Sequence, residues 1–278
     1  MFRRGPKLQI KTDEQIRLMR AAGLVVADAL DAVTAAVTPG VTGRELDSIA
    51  EEVIRSAGAV PSFLGYFGYP ASICVSVDNA IVHGIPNDDP IPEGSLVSVD
   101  CGAILQGWHG DSAVTCAVGH VGRGALELSN VTRSALWHGL AHARPGRRLT
   151  DIGAAVEQVV HAAAHDYGIV RNYVGHGIGT EMHMAPDVPN TGPSGRGPQL
   201  VPGVVLAVEP MITVGSAENT TLDDDWTVVT MDGSLAAHWE HTVAVTATGP
   251  WVLTARDGGA AELAALGVQV SEMAVGEA

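Results

Sequence analysis

Four acidic residues lie where runs of apolar residues end or begin. Asp100 follows LVSV, Asp111 precedes SAVTCAV, Glu209 follows VVLAV and Glu240 precedes HTVAV. The apolar runs are typical of buried strands, and an unpaired charge beside a buried strand costs free energy. Carboxylates that lie close together repel each other unless a proton or a cation separates them. The pattern therefore predicts two pairs of carboxylates arranged to hold positive charge.

The first pair is expected on a hairpin. The segment CGAILQGWHG between Asp100 and Asp111 contains three glycines, which favours a turn between two strands. Asp100 then ends one strand and Asp111 begins the next, and direct pairing places both side chains on one face. The alternative is that these are loop aspartates in solvent, an interpretation that fits residues 223–225 better.

Two histidines seven residues apart lie in the glycine-rich stretch NYVGHGIGTEMHMAP, residues 172–186. A lone histidine such as His176 or His183 is most often a hydrogen-bonded structural residue. Beside four carboxylates, however, one imidazole completes a donor set that suits Mn²⁺, Fe²⁺ or Co²⁺ and tolerates Zn²⁺. Four carboxylates can hold two cations if some of them bridge, and paired metal ions activate water for hydrolysis.

The elements that must position these residues repeat faintly along the chain. Each half carries a predicted helix and a later strand that ends in a carboxylate: 39–53 and 92–100, then 145–156 and 201–209. Both helices share the L-x-x-I-small-x-x-V spacing of one apolar face. We predict N-caps at Thr42, which forms a capping box with Glu45, and at Thr150. The repeat indicates that the two carboxylate pairs face each other across a pseudo-twofold axis.

The charge of the chain excludes some partners. Its 31 acidic and 16 basic residues give a formal net charge of −15, and such a surface repels nucleic acid and anionic membranes. The N-terminus is the exception, because Arg3, Arg4, Lys7 and Lys11 precede the first acid, Asp13. A solvated terminus is the simplest interpretation of this arm.

The cellular compartment follows from the cysteines and from the apolar runs. The chain has three cysteines without a CxxC spacing, which is typical of a reduced cytoplasm. We find no apolar run of membrane-spanning length and no signal-peptide pattern. We therefore expect a cytoplasmic protein.

Six stretches of the chain together resemble the bacterial type I methionine aminopeptidases over roughly residues 8–255. They are LGYFGYPASICVSVDNAIVHGIP, VSVDCGAILQGWHGDSA, YVGHGIGTEMH, VLAVEPM, DDWTVVT and WEHTVAV. The resemblance implies the pita-bread α/β fold, in which two pseudosymmetric halves of helices and antiparallel strands surround a dinuclear metal site. We expect one catalytic domain, 1–278, with a basic arm at 1–11, halves at about 12–122 and 123–250, and a C-terminal tail at 257–278 that begins with a short helix.

The resemblance also implies a role for each candidate residue. Two divalent metal ions (Co, Mn, Fe, Ni or Zn) are the expected cofactor, with a bridging hydroxide that attacks the first peptide carbonyl. The implied metal ligands are Asp100, Asp111, His176, Glu209 and Glu240, of which Asp111 and Glu240 bridge both ions. Three residues are implied to be catalytic: Glu209 also moves a proton to the leaving amine, His183 donates to the carbonyl oxygen, and His83 guides the leaving group.

The implied reaction is hydrolytic removal of the initiator methionine from newly made proteins. Small second residues are expected to be preferred, because the next side chain meets a crowded rim. The expected partners are N-terminal methionine peptides and nascent chains, with ribosome contact through the basic arm; we expect a monomer and no DNA or membrane partner.

A methionine side chain needs an apolar slot, and sulfur and aromatic groups contact a thioether favourably. Besides His83 and His183, the resemblance implies that the slot is lined by Phe63, Tyr66, Tyr69, Cys74, Met182, Met211 and Trp226. Taken singly, such residues more often fill a core. Four residues, Phe63, Phe67, Met182 and His238, depart from those common in the family, and we expect none of these four to touch a metal ligand.

Three other functions remain open at this point. A Pro-specific aminopeptidase or dipeptidase of the same fold would cleave Xaa-Pro peptides without releasing methionine from Met-Ala, although such enzymes usually carry an extra N-terminal domain for which we expect no room here. A non-catalytic binding member of the fold would fail to bind divalent metal, although all five ligand positions are present. A structural cation site would unfold when its metal is removed.

Overall fold

The computed structural model describes residues 8–275 of the chain. The helices are α1 (Asp13–Ala36), α2 (Gly43–Ser56), α3 (Arg123–Leu140), α4 (Thr150–His161), α5 (Ala260–Ala265) and α6 (Glu272–Val275). The strands are β1 (Val60–Pro61), β2 (Ile73–Val77), β3 (Ala80–Val82), β4 (Leu96–Leu105), β5 (Trp108–Ala117), β6 (Gly168–Ile169), β7 (Gly175–Gly177), β8 (Met184–Val188), β9 (Val205–Val208), β10 (Met211–Thr213), β11 (Asn219–Thr221), β12 (Val228–Thr230), β13 (Ala236–His238), β14 (Glu240–Val245) and β15 (Pro250–Val252).

The main sheet is antiparallel and mirrors itself about its centre. Its strands follow the order β1-β4-β5-β14-β9-β7-β8, with β2 also paired to β4 and β15 to β14. The first half of the chain supplies β4 and β5, the second half supplies β14 and β9, and β5 and β14 pair at the junction. Two helices precede the strands of each half, where the repeat in the sequence indicated one. The predicted boundaries at 12–122 and 123–250 stay a prediction.

The hairpin of β4 and β5 is longer than the sequence indicated. Asp100 was expected to end a strand and Asp111 to begin one, but both strands continue to a two-residue turn at Gln106 and Gly107. Both turn residues have positive φ, 52° and 81°, which is the backbone twist that a tight hairpin requires. The two aspartates therefore lie within regular strand, where the backbone fixes their positions.

The register of this hairpin corrects a second expectation. Asp100 pairs with Ala113, and Asp111 pairs with Gly102, so the two carboxylates are diagonal neighbours and not direct partners. Their side chains still lie on the same face of the sheet, because residues two apart on a strand share a face. Asp111 lies opposite a residue that has no side chain.

The other face of β4 packs on the helices. Val97, Val99 and Cys101 alternate with Asp100 along the strand and are fully buried, in one cluster with apolar residues of α1 and α2. This alternation is the period of two that a strand imposes on its two faces. Burial of these side chains on the helical face anchors the strand and leaves its polar positions on the opposite side.

The helix caps agree with the sequence in one half only. Thr42 and Glu45 form the predicted capping box at the start of α2. The predicted cap at Thr150 is wrong, because the N-cap of α4 is Leu149. The Thr150 hydroxyl is instead hydrogen-bonded to the backbone of Arg196 in the loop before β9.

The N-terminal end of the described chain packs on the body. Lys11, assigned to a basic arm, is buried at 5% exposure, and its backbone N–H donates to the carbonyl of Gly203. Burial lowers the pKa of Lys11 to about 8. Arg3, Arg4 and Lys7 lie outside the described residues, so the ribosome contact expected of the arm stays a prediction. Among the described helices, none combines the length and the apolar character needed to cross a membrane.

Helix α1 approaches the sheet closely where two glycines meet. A Cβ atom on Gly110 would lie 2.7 Å from the backbone nitrogen of Gly23, and one on Gly23 would lie 2.5 Å from the carbonyl oxygen of Leu253. Both distances are shorter than van der Waals contact, so neither position accepts a side chain without movement of the backbone. Because Gly110 precedes Asp111, this contact fixes the backbone of an acidic residue.

We expect Gly110→Ala to destabilise the protein by about 1–3 kcal/mol, the usual cost of overpacking a close contact. Urea unfolding followed by circular dichroism measures the effect. The matched control is Gly124→Ala in α3, where a Cβ would have no neighbour within 4 Å and the substitution is neutral or stabilising in a helix. Equal unfolding midpoints for Gly110→Ala and Gly124→Ala would show that α1 is free to move away from β5.

Candidate active site

The structure brings the predicted metal ligands together on the non-helical face of the main sheet. Asp100 lies on β4, Asp111 on β5, His176 on β7, Glu240 at the start of β14, and Glu209 directly after β9. All five line one cavity. Each of the strands that meet at the centre of the sheet thus contributes one of these side chains.

Two adjacent rows across the sheet carry three of these side chains. In the first row Asp100 pairs with Ala113, and Ala113 pairs with Glu240 on the next strand. In the second row His176 pairs with Ala207. The small alanine side chains keep the carboxylates and the imidazole apart and leave space between them.

Donor atoms from four of these residues lie close together. The Nε2 atom of His176 is 3.5 Å from Oε1 of Glu209 and 3.8 Å from Oδ2 of Asp111. One donor atom each from Asp111, His176 and Glu240 lies within 4.8 Å of the other two. The Nδ1 atom of His176 is 3.0 Å from the carbonyl oxygen of Gly177, which can only accept a hydrogen. Nδ1 is therefore the protonated nitrogen, and the Nε2 lone pair is available to a metal.

Burial dominates the electrostatics of the site. It raises the pKa of Asp100 to about 7. Burial also raises the pKa of Asp111, Glu209 and Glu240 well above the usual range, and repulsion by neighbouring carboxylates adds to the shift of each. Burial lowers the pKa of His176 to about 3, so its imidazole is neutral. The cluster gains stability from any cation that enters it.

The unsatisfied oxygens of the cluster test whether divalent metal fits. Among the described residues, Oδ1 of Asp100, Oδ1 of Asp111 and Oε1 of Glu240 are buried without a hydrogen-bond partner. Buried polar atoms are almost always paired, so these three mark positions that a bound group would satisfy. Several carboxylates with one neutral imidazole are a donor set suited to Mn²⁺, Fe²⁺, Co²⁺ or Zn²⁺. The residues present therefore fit divalent metal ions.

An apolar slot opens beside the acids. It is lined by Phe63, Tyr66, Tyr69, Cys74, Met182 and Trp226, together with His83 and His183. The ring of Tyr69 packs edge-on against Trp226 at 5.0 Å and against Phe63 at 6.5 Å. Cys74 joins the slot to the acids, because it pairs directly with Asp100 across β2 and β4.

A glycine sets the depth of this slot. A Cβ atom on Gly102 would lie 2.9 Å from Cβ of Ser62 and 3.0 Å from both Cε of Met182 and Cε1 of Phe63. The absence of a side chain on β4 at this position is what admits Met182 and Phe63 to the wall.

Met211 does not line the slot, contrary to expectation. It begins β10 and pairs with His238 of β13, and its side chain is 1% exposed in a neighbouring core with Ile81 and Val228. The resemblance implied that Met211 lines the slot, but the chain leaves β9 before β10 begins, and β10 belongs to a different sheet.

His83 and His183 also line the slot. Nδ1 of His183 is 2.9 Å from the hydroxyl of Tyr66, and its ring lies 4.3 Å from that of His176. His83 has a positive φ of 61° and packs edge-on against Trp226. Burial lowers the pKa of His83 to about 4, helped by His183, so the imidazole of His83 is neutral.

The four residues that differ from those common in the family were expected not to touch a metal ligand. This expectation is wrong for His238. Its Nε2 atom is 3.9 Å from Oε2 of Glu209 and 4.0 Å from Oε2 of Glu240. A signal was present in the sequence, because AAHWEHTVAV resembles one strand in which His238 and Glu240 share a face, although the structure divides this segment into β13 and β14. Phe67 lies away from the slot at 86% exposure.

The chain is similar to known proteins over most of its length. Residues 17–247 match the model of metallopeptidase family M24. The chain is 54% identical over 245 residues to methionine aminopeptidase 1 of Mycobacterium tuberculosis, a match that covers 86% of this chain and 92% of that protein. It is 50% identical over 246 residues to the methionine aminopeptidase of Clostridium acetobutylicum, covering 88% and 98%. The crystal structure of the Rickettsia prowazekii methionine aminopeptidase superposes with a TM-score of 0.87 at 40% identity, covering 90% of this chain and 100% of that one.

We expect Mn²⁺ to stabilise metal-stripped protein, because the ion offsets repulsion among buried carboxylates. A concentration of 100 times Kd adds about 2.7 kcal/mol, which raises Tm by several degrees in a thermal scan. Asp111→Asn should lose most of this shift without lowering the Tm of the metal-free protein, since it removes a charge from the cluster. The exposed Asp223→Asn is the control and should shift like wild type. A wild-type Tm that no divalent ion changes would contradict the fit.

Proposed function

The chain belongs to metallopeptidase family M24 and, within it, to the methionine aminopeptidases, and we propose that the acidic cluster and the slot beside it form the active site. Removal of N-terminal methionine is the activity of the methionine aminopeptidases. The pita-bread fold predicted from the sequence is confirmed by the solved relatives. The high identities favour this reaction over the Pro-specific alternative. One observation carries the site assignment: four buried or half-buried carboxylates and one neutral imidazole meet directly beside a slot of aromatic and sulfur groups.

Divalent metal ions belong to this family of metallopeptidases, and we propose that two are held here. Asp100 would hold one ion, and His176 and Glu209 would hold the other. Asp111 and Glu240 would be shared by both ions. When bound, such ions lower the pKa of water and polarise the scissile carbonyl. Their identity is proposed only as Co, Mn, Fe, Ni or Zn.

The slot selects methionine by contact with its thioether. Cys74 and Met182 offer soft, polarisable atoms, and Tyr69 and Trp226 offer ring edges and faces, all of which contact sulfur favourably. Because Cys74 pairs with Asp100, a side chain in the slot brings the amine and the first carbonyl of the peptide to the acids. This placement supports cleavage after the first residue.

Glu209 is proposed to move the proton. Its side chain is 14% exposed, against 2% for Glu240, so it is the more open of the two glutamates to the reacting groups. As a carboxylate it takes a proton from the attacking water, and as a carboxylic acid it returns that proton to the leaving amine.

His183 and His83 are proposed to bind the peptide group. If the Tyr66 hydroxyl donates to Nδ1 of His183, the proton of that imidazole lies on Nε2, which then donates to the carbonyl oxygen as negative charge develops. His83, which is neutral and lines the slot, would bind the scissile amide and guide the leaving amine. The geometry supports both roles, since each histidine lines the cavity that the acids share.

The cellular setting is proposed from the reaction and the composition. We propose a cytoplasmic monomer that acts on nascent chains, with contact to the ribosome through the arm that contains Arg3, Arg4 and Lys7. Co-sedimentation with ribosomes before and after deletion of residues 1–7 tests that contact.

We expect metal-stripped protein to release methionine from Met-Ala-Ser only after Co²⁺ or Mn²⁺ is added. Glu209→Gln should lower kcat by about 10²–10⁴-fold, the range of a lost general acid–base group, whereas the exposed Asp223→Asn should keep wild-type activity. Methionine release measured by chromatography gives both rates. No release by folded wild-type protein with any divalent metal would leave a binding or structural role for the fold.

We also expect a small second residue to be required. Met-Ala and Met-Gly peptides should be cut much faster than Met-Leu or Met-Lys, because the residue after the cleaved bond meets a rim that includes Tyr66 and His183. The measurement is kcat/KM across a Met-Xaa-Ser series. Cleavage of Met-Lys-Ser as fast as Met-Ala-Ser would show that the rim does not restrict the second residue.

A further inference from the structure

His238 is a buried histidine with an unsatisfied nitrogen. The residue is 1% exposed, and its Nε2 atom has no hydrogen-bond partner among the described residues. An unpaired buried donor or acceptor costs free energy, and native proteins retain few of them. The groups that surround this nitrogen therefore indicate which hydrogen bond it could form.

The unsatisfied nitrogen faces the acidic cluster. It lies at nearly the same distance from two carboxylates, 3.9 Å from Oε2 of Glu209 and 4.0 Å from Oε2 of Glu240. These distances are too long for hydrogen bonds, but a small rotation of either carboxylate would close one. Both carboxylates belong to the set proposed to hold metal.

The backbone of His238 is held in place from two strands. Its N–H donates to the hydroxyls of Ser98 and Thr115, and its carbonyl accepts from the Thr115 hydroxyl at 2.7 Å. Ser98 and Thr115 pair with each other across β4 and β5, and both are buried. The strand that precedes Glu240 is thereby fixed to the hairpin that carries the two aspartates.

We propose that His238 is a positioning residue that donates a hydrogen from Nε2 to the carboxylate of Glu209 or Glu240 and so orients these carboxylates for metal binding. The inference rests on the proposed metal site. Groups that hydrogen-bond to metal ligands typically change metal affinity by about 10–100-fold when they are removed.

A neutral donor suits this position better than a cation. Two divalent ions balance the charge of four carboxylates, so a third cation would compete with them for the same oxygens. An uncharged N–H orients a carboxylate while leaving its charge to the metal. A side-chain amide can perform the same task.

The test compares three substitutions that place a donor differently. Glutamine extends its amide to about the position of Nε2, asparagine reaches only to about that of Nδ1, and phenylalanine keeps the ring without any donor. We expect His238→Gln to keep a Kd for Mn²⁺ close to wild type. We expect His238→Asn and His238→Phe to bind Mn²⁺ about 10–100-fold more weakly. Isothermal titration of metal-stripped protein with Mn²⁺ alone gives the Kd values.

Thermal unfolding of the metal-free variants separates positioning from packing. A residue that only fills the core would lower Tm and leave Kd for Mn²⁺ unchanged, and that result would overturn the proposal. A Kd for His238→Gln as weak as that for His238→Phe would overturn it too. Should His238→Phe fail to fold, the Gln and Asn variants still give the decisive comparison. Wild-type protein that binds no Mn²⁺ would instead overturn the proposed metal site itself.

Discussion

The constraint on which this structure depends is the burial of four like-charged side chains in one place. Repulsion among Asp100, Asp111, Glu209 and Glu240 would spread them apart in a flexible chain. They stay together because each is fixed at or beside a strand of one sheet, and because α1 packs directly on the backbone next to Asp111. The energy stored in this arrangement is what a divalent ion releases on binding.

The mirrored order of the central strands explains how such a cluster is built. Each half of the chain contributes a pair of carboxylates, and the pairing of β5 with β14 brings the two pairs together. The slot is not symmetric in the same way. The first half supplies most of its wall, including Tyr69 and Cys74, while Met182 and Trp226 come from the second. The acidic cluster is therefore drawn equally from the two halves of the chain, whereas the slot is drawn mainly from the first.

The sequence predicted that these acids lie together, because acids beside apolar strands have few physical explanations. It could not predict the hairpin register, because the turn at Gln106 and Gly107 decides which residues pair, and glycine spacing allows several turns. Met211 was assigned to the slot from its place in a motif, although the chain changes sheets after Glu209. His238 was overlooked as a neighbour of the acids because it was judged as a substitution and not by its position on the strand.

Because of Gly102, the register of the hairpin affects the slot as well as the acids. The same residue faces Asp111 across the strands and makes room for Met182 and Phe63 in the slot. A slip of β4 against β5 would separate the acids and fill the slot in a single step, since side chains would exchange faces. The arrangement of the acids and the size of the slot are thus coupled through one register. A mutation that shifts this hairpin would change both.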